Sequence, residues 1–121
     1  MIILAFIILA AIMKAVMDSL QFHYSASIFR FWNADFWNPH YSWKNKYKHG
    51  NPKFGEKFFG STTFFVFLTD GWHLAQFFFL NSMIAAIVTY EPIFNVWLDF
   101  ILLGIGFRVV FQIFFKDVFS K

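Results

Sequence analysis

The stretch that decides the fold is IILAFIILAAIMKAVMDSLQF, residues 2–22. About 20 apolar residues at a 1.5 Å rise are enough for a helix to cross the roughly 30 Å hydrocarbon core of a bilayer. Residues 58–90 and 93–119 are two further stretches of the same character. We predict a transmembrane α-helix in each, with the first reaching about residue 30 if it continues into the segment that follows it.

The composition agrees with a membrane protein. Of 121 residues, 59% are hydrophobic and only 14% are charged, whereas roughly a quarter of the residues of a soluble domain are charged. We therefore predict one all-α membrane domain that covers residues 1–121. There is no cysteine, which excludes disulfides and thiolate metal sites. Because residues 2–22 follow no basic segment, we expect a retained helix and not a cleaved signal peptide.

The distribution of basic residues predicts the orientation. The segment between the first two apolar stretches contains Arg30, Lys44, Lys46, Lys48, Lys53 and Lys57. The second connection, Tyr90-Glu91-Pro92, contains no basic residue. By the positive-inside rule the first connection is cytoplasmic, which places the N-terminus outside and the C-terminus in the cytoplasm. A residue usage typical of AT-rich genes favours a bacterial inner membrane, with an organellar membrane as the alternative.

The first connection also interleaves its lysines with aromatic residues. Amphipathic rings are enriched at headgroup depth, and lysines there meet anionic lipid. We predict that this loop lies at the membrane interface and contacts anionic headgroups through Trp43, Lys44, Lys46 and Lys48. Nucleic acid is not an expected partner, because a net charge of +3 is a small excess and not a clustered basic face.

Polar residues inside the apolar stretches are the candidates for a shared buried site. We predict a structural polar layer formed by Lys14, Asp18, Gln21, Gln76, Arg108 and Gln112. An unpaired charge in the bilayer costs about 3 kcal/mol on insertion scales, so we expect two ion pairs, Lys14 with Asp18 and Asp70 with Arg108. Gly104, on the face of Arg108, would let a neighbouring helix approach closely.

Chemistry in this layer is one hypothesis. Asp70 and His73, three residues apart on one helix face, can act as acid and base or as ligands of a divalent metal. Asp18 and His23 would complete a catalytic set from the first helix. No HExxH, nucleophile elbow or P-loop supports this hypothesis, and Ser19, Ser61 and Thr69 are nucleophiles by residue type alone. The alternative is a hydrogen-bonded structural cluster.

Three functions follow from these alternatives. The first is a small membrane subunit or assembly protein that forms homo- or hetero-oligomers through its polar intramembrane faces. The second is a lipid-modifying hydrolase or transferase that uses the Asp70/His73 site, so the sequence leaves open whether the protein is an enzyme. The third is a proton or ion relay along Asp18, Asp70 and His73.

A resemblance supports the membrane assignment. The segments that carry it are Asp18-Ser19-Leu20-Gln21-Phe22-His23-Tyr24, Phe36-Trp37-Asn38-Pro39, Ser42-Trp43-Lys44-Asn45-Lys46-Tyr47, and Gly60-Ser61-Thr62-Thr63 through Thr69-Asp70-Gly71-Trp72-His73. The chain resembles an uncharacterised family of small integral membrane proteins of bacteria and their phages from about residue 18 to residue 76. The resemblance implies an integral membrane protein and assigns no catalytic residue.

Overall fold

The structure, a computed structural model, describes residues 2–121 and contains three long helices. They are α1 (Ile2–Phe22), α2 (Gly71–Val88) and α3 (Val96–Gln112), and α3 continues in a π-helical turn over Ile113–Val118. All three are long and apolar enough to cross a membrane. The predicted all-α fold with three candidate spans is therefore confirmed, and the chain is a multi-pass membrane protein.

α1 covers the predicted residues 2–22, and the alternative extension to about residue 30 is not formed. The predicted start of the second helix was wrong, because α2 begins at Gly71 and not near residue 58. Gly60 has a φ of 77°, a left-handed conformation that a helix interior does not contain. The side chain of Glu56 also accepts hydrogen bonds from Gly60 N and Thr62 Oγ1. These contacts fold residues 56–62 into turns, so the apolar run begins before the helix does.

Residues 23–70, which we call the loop, consist of short helical turns. They are Tyr24–Ala26, Ile28–Phe31, Ala34–Trp37, Pro39–Ser42, Trp43–Lys46, Lys48–Gly50, Pro52–Phe54 and Val66–Leu68. Asn33, Asn38 and Asn51 each accept a hydrogen bond from the backbone N–H two residues later, the local bond that starts a turn. The buried Phe29 stacks on Trp37 with ring centroids 5.5 Å apart. The loop is thus ordered and packs on the core at the end of α1 and the start of α2.

Small residues set the packing of α1 against α2. Ala11, Ala15 and Ser19 are spaced four residues apart on α1 and are fully buried. On α2 the buried residues are also small: Gly71, Ala75, Ser82 and Ala86. Small side chains let two backbones approach closely in a membrane, where van der Waals contact replaces the hydrophobic effect as the main attraction. α1 is the central helix, since it packs against both α2 and α3.

The two ends of the helices are tied differently. At the loop end, the C-terminal segment lies beside the exit of α1: Ile28 N donates to Phe119 O at 2.8 Å. At the other end, buried Asp99 accepts hydrogen bonds from Tyr90 Oη, Ile93 N and Phe94 N. The hydrogen bond to Asp99, aided by burial, raises the pKa of Tyr90 above its ordinary value. Asp99 therefore fixes the turn between α2 and α3.

Candidate functional site

Asp70 lies at the N-terminus of α2, where it is buried and fully bonded. Its Oδ1 accepts the backbone N–H of His73 at 2.9 Å, which makes Asp70 the N-cap of the helix. Its Oδ2 lies 2.7 Å from His73 Nδ1 and 3.1 Å from Thr69 Oγ1, whose hydroxyl makes its shorter contact, 2.6 Å, with Val66 O. Only 3% of Asp70 is exposed. The carboxylate is therefore held in place by the backbone N–H and the ring of His73.

His73 projects from the first turn of α2, and its side chain is 25% exposed. Because Nδ1 is bonded to Asp70, the ring orientation is fixed and Nε2 remains for a ligand. In the neutral ring Nε2 accepts a hydrogen bond, and in the imidazolium it donates one. The predicted pairing of Asp70 and His73 on one face is formed, and it leaves one imidazole nitrogen for chemistry.

A pocket of about 250 Å³ opens beside this pair, between the end of α1, the loop and the start of α2. We call it the Asp70–His73 pocket. Its walls are formed by Gln21, Pro39, Ser42, Trp43, Lys46, Asp70, Trp72 and His73. Gln21, Lys46 and Trp43 were each predicted from the sequence, although for two separate roles. The structure brings them together around one opening.

The walls of this pocket are mainly apolar, and Lys46, Gln21 and His73 are polar residues in its lining. Lys46 contributes an ammonium group and Gln21 an amide. The indole Nε1 of Trp72 is buried and has no hydrogen-bond partner among residues 2–121. The one carboxylate, Asp70, is already bonded to the backbone N–H and the ring of His73. The pocket therefore suits a ligand that combines an anionic group, for Lys46, with an apolar part.

The loop positions Lys46 through buried backbone contacts. Ser61 Oγ donates to Lys46 O at 2.7 Å and accepts Lys57 N at 3.1 Å. Next to Lys46, the Asn45 amide donates to Asp35 O at 2.6 Å and to Thr69 O at 2.8 Å. Since Thr69 directly precedes Asp70, the Asn45 bridge ties this part of the loop to the N-terminus of α2. The wall that carries Lys46 is thus fixed relative to His73.

Comparison with known proteins gives no identification. No protein family model matches the chain, and no curated protein or solved structure matches it either. The resemblance to small membrane proteins of bacteria and phages therefore stays a prediction.

The other predicted residues of the polar layer form a second group. Lys14 Nζ lies 3.0 Å from Asp18 Oδ1, so this predicted ion pair is formed. Both line a cleft of about 370 Å³ whose other walls are Phe107, Arg108, Phe111 and Gln112 of α3. We call it the α1–α3 cleft. Asp18 therefore opens toward α3 and not into the Asp70–His73 pocket.

The predicted ion pair between Asp70 and Arg108 was wrong. Arg108 is exposed in the α1–α3 cleft and forms no ion pair within residues 2–121. The prediction compared levels counted from the turn near Pro92 and did not include the direction of each side chain. Asp70 is the N-cap of α2 and its carboxylate bonds to His73, whereas Arg108 lines the cleft beside α1. The polar residues consequently form two sites and not one common layer.

Two of the predicted site residues, His23 and Gln76, line neither the Asp70–His73 pocket nor the α1–α3 cleft. The His23 ring contacts Phe115 edge to face at 5.0 Å, so His23 faces the end of α3 and not His73. Gln76 is half-buried on α2, one turn beyond the start of the helix. Of the four residues proposed from the sequence as a catalytic set, only Asp70 and His73 lie together.

A divalent metal does not fit the described residues well. Within residues 2–121, no group of three or more His, Asp or Glu side chains could share an ion. Asp70 and His73 supply two ligands, and the atoms Oδ2 and Nδ1 are bonded to each other. Catalytic zinc sites use three protein ligands. We derive no metal chemistry from this pair.

Four residues that form or support the pocket were not predicted from the sequence. Pro39 and Ser42 line it, Trp72 leaves a donor unpartnered, and Asn45 ties the loop to α2. The Asn38-Pro39 turn was visible in the sequence, but its distance from His73 was not. Nothing in the pattern around Asn45 indicates a contact with Thr69, 24 residues away.

Proposed function

We propose that this multi-pass membrane protein binds the phosphate of a lipid headgroup in the Asp70–His73 pocket. The proposal rests on the cationic Lys46 and on Gln21 and His73, which together line one mainly apolar opening. Phosphate oxygens are strong acceptors, and hydrogen bonds from charged donors to them are roughly twice as strong as neutral ones.

The position of the pocket favours a lipid over a dissolved phosphate. The pocket lies where α1 ends and α2 begins, at one end of the apolar spans. Trp43 in its wall is exposed, and so are Lys44 and Lys48 of the same loop. Aromatic and basic residues at this depth are typical of the headgroup region. The predicted headgroup contacts of Trp43 and Lys46 thus form part of this proposal.

Binding to the full-length protein in detergent tests the proposal. We would titrate short-chain phosphatidylglycerol, diacylglycerol without phosphate, and glycerol phosphate without acyl chains, and follow retention by native mass spectrometry. We expect phosphatidylglycerol to bind and diacylglycerol not to bind. Glycerol phosphate should bind far more weakly than phosphatidylglycerol. Tighter binding of glycerol phosphate would assign the site to a dissolved phosphate ester. Equal retention of diacylglycerol would refute a phosphate site.

Variants locate the binding in the pocket. Loss of one charge-assisted hydrogen bond removes about 1.5–3 kcal/mol, so Lys46→Ala should weaken phosphatidylglycerol binding by about tenfold or more. The matched control is Lys48→Ala, because Lys48 is an exposed cation of the same loop that does not line the pocket. If the two variants lose affinity equally, the binding is general surface attraction and the pocket is not the site.

Acid–base chemistry on the bound lipid is the second candidate function. It is favoured by the fixed Asp70–His73 pair with Nε2 free, since an oriented imidazole is the usual general base. Ser42 lines the same pocket and contributes a hydroxyl group to it. Incubation of the protein with labelled phosphatidylglycerol would reveal a released headgroup or acyl chain. A product formed by the wild type and lost in His73→Gln would establish an enzyme.

A further inference from the structure

The helix α3 is the least packed part of the molecule. Within Val96–Val118, only 6% of an apolar 18-residue segment is buried, compared with 39% of the corresponding segment of α1. Most of its exposed surface is apolar and suits lipid tails. Gly104, Arg108 and Gln112, however, are four residues apart on one face and are all exposed. This polar stripe borders the α1–α3 cleft, whose opposite wall carries Lys14 and Asp18.

The charges in the α1–α3 cleft do not balance. Lys14 and Asp18 form an ion pair at 3.0 Å. Arg108 adds a second cation, and residues 2–121 provide it with no carboxylate partner. The cleft thus contains two cations and one anion. It lacks one negative charge.

Depth makes this imbalance costly. The start of α1 lies beside the turn between α2 and α3, since Ile2 and Ile3 line a cleft together with Pro92 and Ile93. Lys14 and Arg108 are each twelve residues into their helices, or about 18 Å along the axis. In a hydrocarbon core of roughly 30 Å this is beyond the midplane and well below the headgroups on the loop side. An unpaired charge there costs about 3 kcal/mol on insertion scales.

Gly104 provides room for a neighbour on the same face. A Cβ atom built at Gly104 would meet no heavy atom within 4 Å. Glycine on an exposed transmembrane face allows the backbone of another helix to approach closely. The close approach predicted for Gly104 is therefore not used by α1 or α2. It is available to a helix from another chain.

We propose that a transmembrane helix of a different protein docks on the Gly104–Arg108–Gln112 stripe and supplies a carboxylate to Arg108. The carboxylate would restore charge balance in the α1–α3 cleft, and the Gln112 amide lies one turn away as a second donor. A second copy in the same orientation is a poor occupant, because it repeats the surplus of cations. Its only carboxylate near this level, Asp18, is bound to Lys14. This inference does not depend on headgroup binding.

A defined peptide tests the inference. The probe is a leucine–alanine transmembrane peptide with one glutamate about 18 Å from the end that lies beside Pro92, and its control carries glutamine instead. Both are labelled and mixed with the full-length protein in phosphatidylcholine vesicles, and association is followed by energy transfer. The wild-type protein should bind the glutamate peptide at least tenfold more tightly than the glutamine peptide. Arg108→Leu should remove this preference.

A second variant separates docking from folding. Gly104→Leu keeps Arg108 and places its side chain in open space, so the monomer should fold as the wild type does but lose the peptide. Equal binding of both peptides would overturn the inference, and so would a preference for the glutamate peptide that persists in Arg108→Leu. The inference would also be overturned if Arg108 supported self-association, or retention of anionic lipid, in place of peptide binding.

Discussion

His73 Nδ1 lies 2.7 Å from Asp70 Oδ2, while the other oxygen of the same carboxylate accepts the His73 backbone N–H at 2.9 Å. One residue therefore caps α2 and orients the imidazole of the candidate site. Stability of the helix and function of the pocket are coupled at Asp70, and substitutions there separate the two roles.

Replacement of Asp70 by alanine should destabilise the protein by about 1–3 kcal/mol, because it removes an N-cap and the bond to His73. Asp70→Asn keeps a side-chain oxygen for the cap, so its loss should be smaller. Unfolding by a denaturing detergent, followed by circular dichroism, measures both. Equal losses for the two variants would show that Asp70 does not cap α2 as described.

The carboxyl group of Glu56 should titrate below its ordinary range. Hydrogen bonds from Thr62 Oγ1 and Gly60 N to the carboxylate lower its pKa. Because the folded pKa lies below the unfolded value of about 4.3, the stabilisation is complete above that value. It is lost as the pH falls through the folded pKa.

Carbon-13 NMR of the glutamate carboxyl groups measures this titration, and Glu56→Gln assigns the signal. Thr62→Val removes the largest cause and should move the pKa of Glu56 upward. An unchanged pKa in Thr62→Val would exclude the hydrogen bond as its origin.

A larger side chain at Ala15 should disrupt the contact between α1 and α2. Ala15 is 0% exposed, and overpacking of a tight interface typically costs about 1–3 kcal/mol. Ala15→Leu should therefore lower the free energy of unfolding by that amount. The matched control, Ala5→Leu, adds the same volume at an exposed position of the same helix and should stay within about 0.5 kcal/mol. Similar losses in both variants would contradict the small-residue interface.

Replacement of Asp18 should destabilise the protein more when Lys14 is present than when it is absent. Asp18→Leu leaves the Lys14 ammonium without its carboxylate, beside the Arg108 cation, and an uncompensated charge costs about 3 kcal/mol on insertion scales. The double variant Lys14→Leu/Asp18→Leu removes one of these cations and should be more stable than Asp18→Leu. A double-mutant cycle of unfolding free energies tests this coupling. Additive effects would exclude a stabilising ion pair in the α1–α3 cleft.

The long helices were predictable because apolar length is a strong signal and the bilayer sets its scale. The sequence also placed the turn between α2 and α3 correctly near Pro92. The start of α2 was not predictable in the same way. Residues 58–68 are apolar enough to continue a helix, and only tertiary contacts such as Ser61 with Lys46 show that they form turns.

The candidate site was predictable only in part. The spacing of Asp70 and His73 correctly indicated one shared position, since residues three apart are neighbours on a helix. The expected partner of Asp70 was wrong because a count of levels from the turn near Pro92 does not give the direction of a side chain: the Asp70 carboxylate bonds to His73, and Arg108 faces the α1–α3 cleft. Contacts between the loop and α2, such as Asn45 with Thr69, cannot be read from periodicity.

The proposed lipid phosphate in the Asp70–His73 pocket would lie beside both His73 and Lys46. Solid-state NMR detects this proximity as a distance between phosphorus-31 of phosphatidylglycerol and nitrogen-15 of the full-length protein in bilayers. Phosphorus dephasing is expected for one histidine ring signal, absent in His73→Gln, and for one lysine ammonium signal, absent in Lys46→Ala. Full dephasing in both variants, or none in the wild type, would contradict the proposed phosphate site.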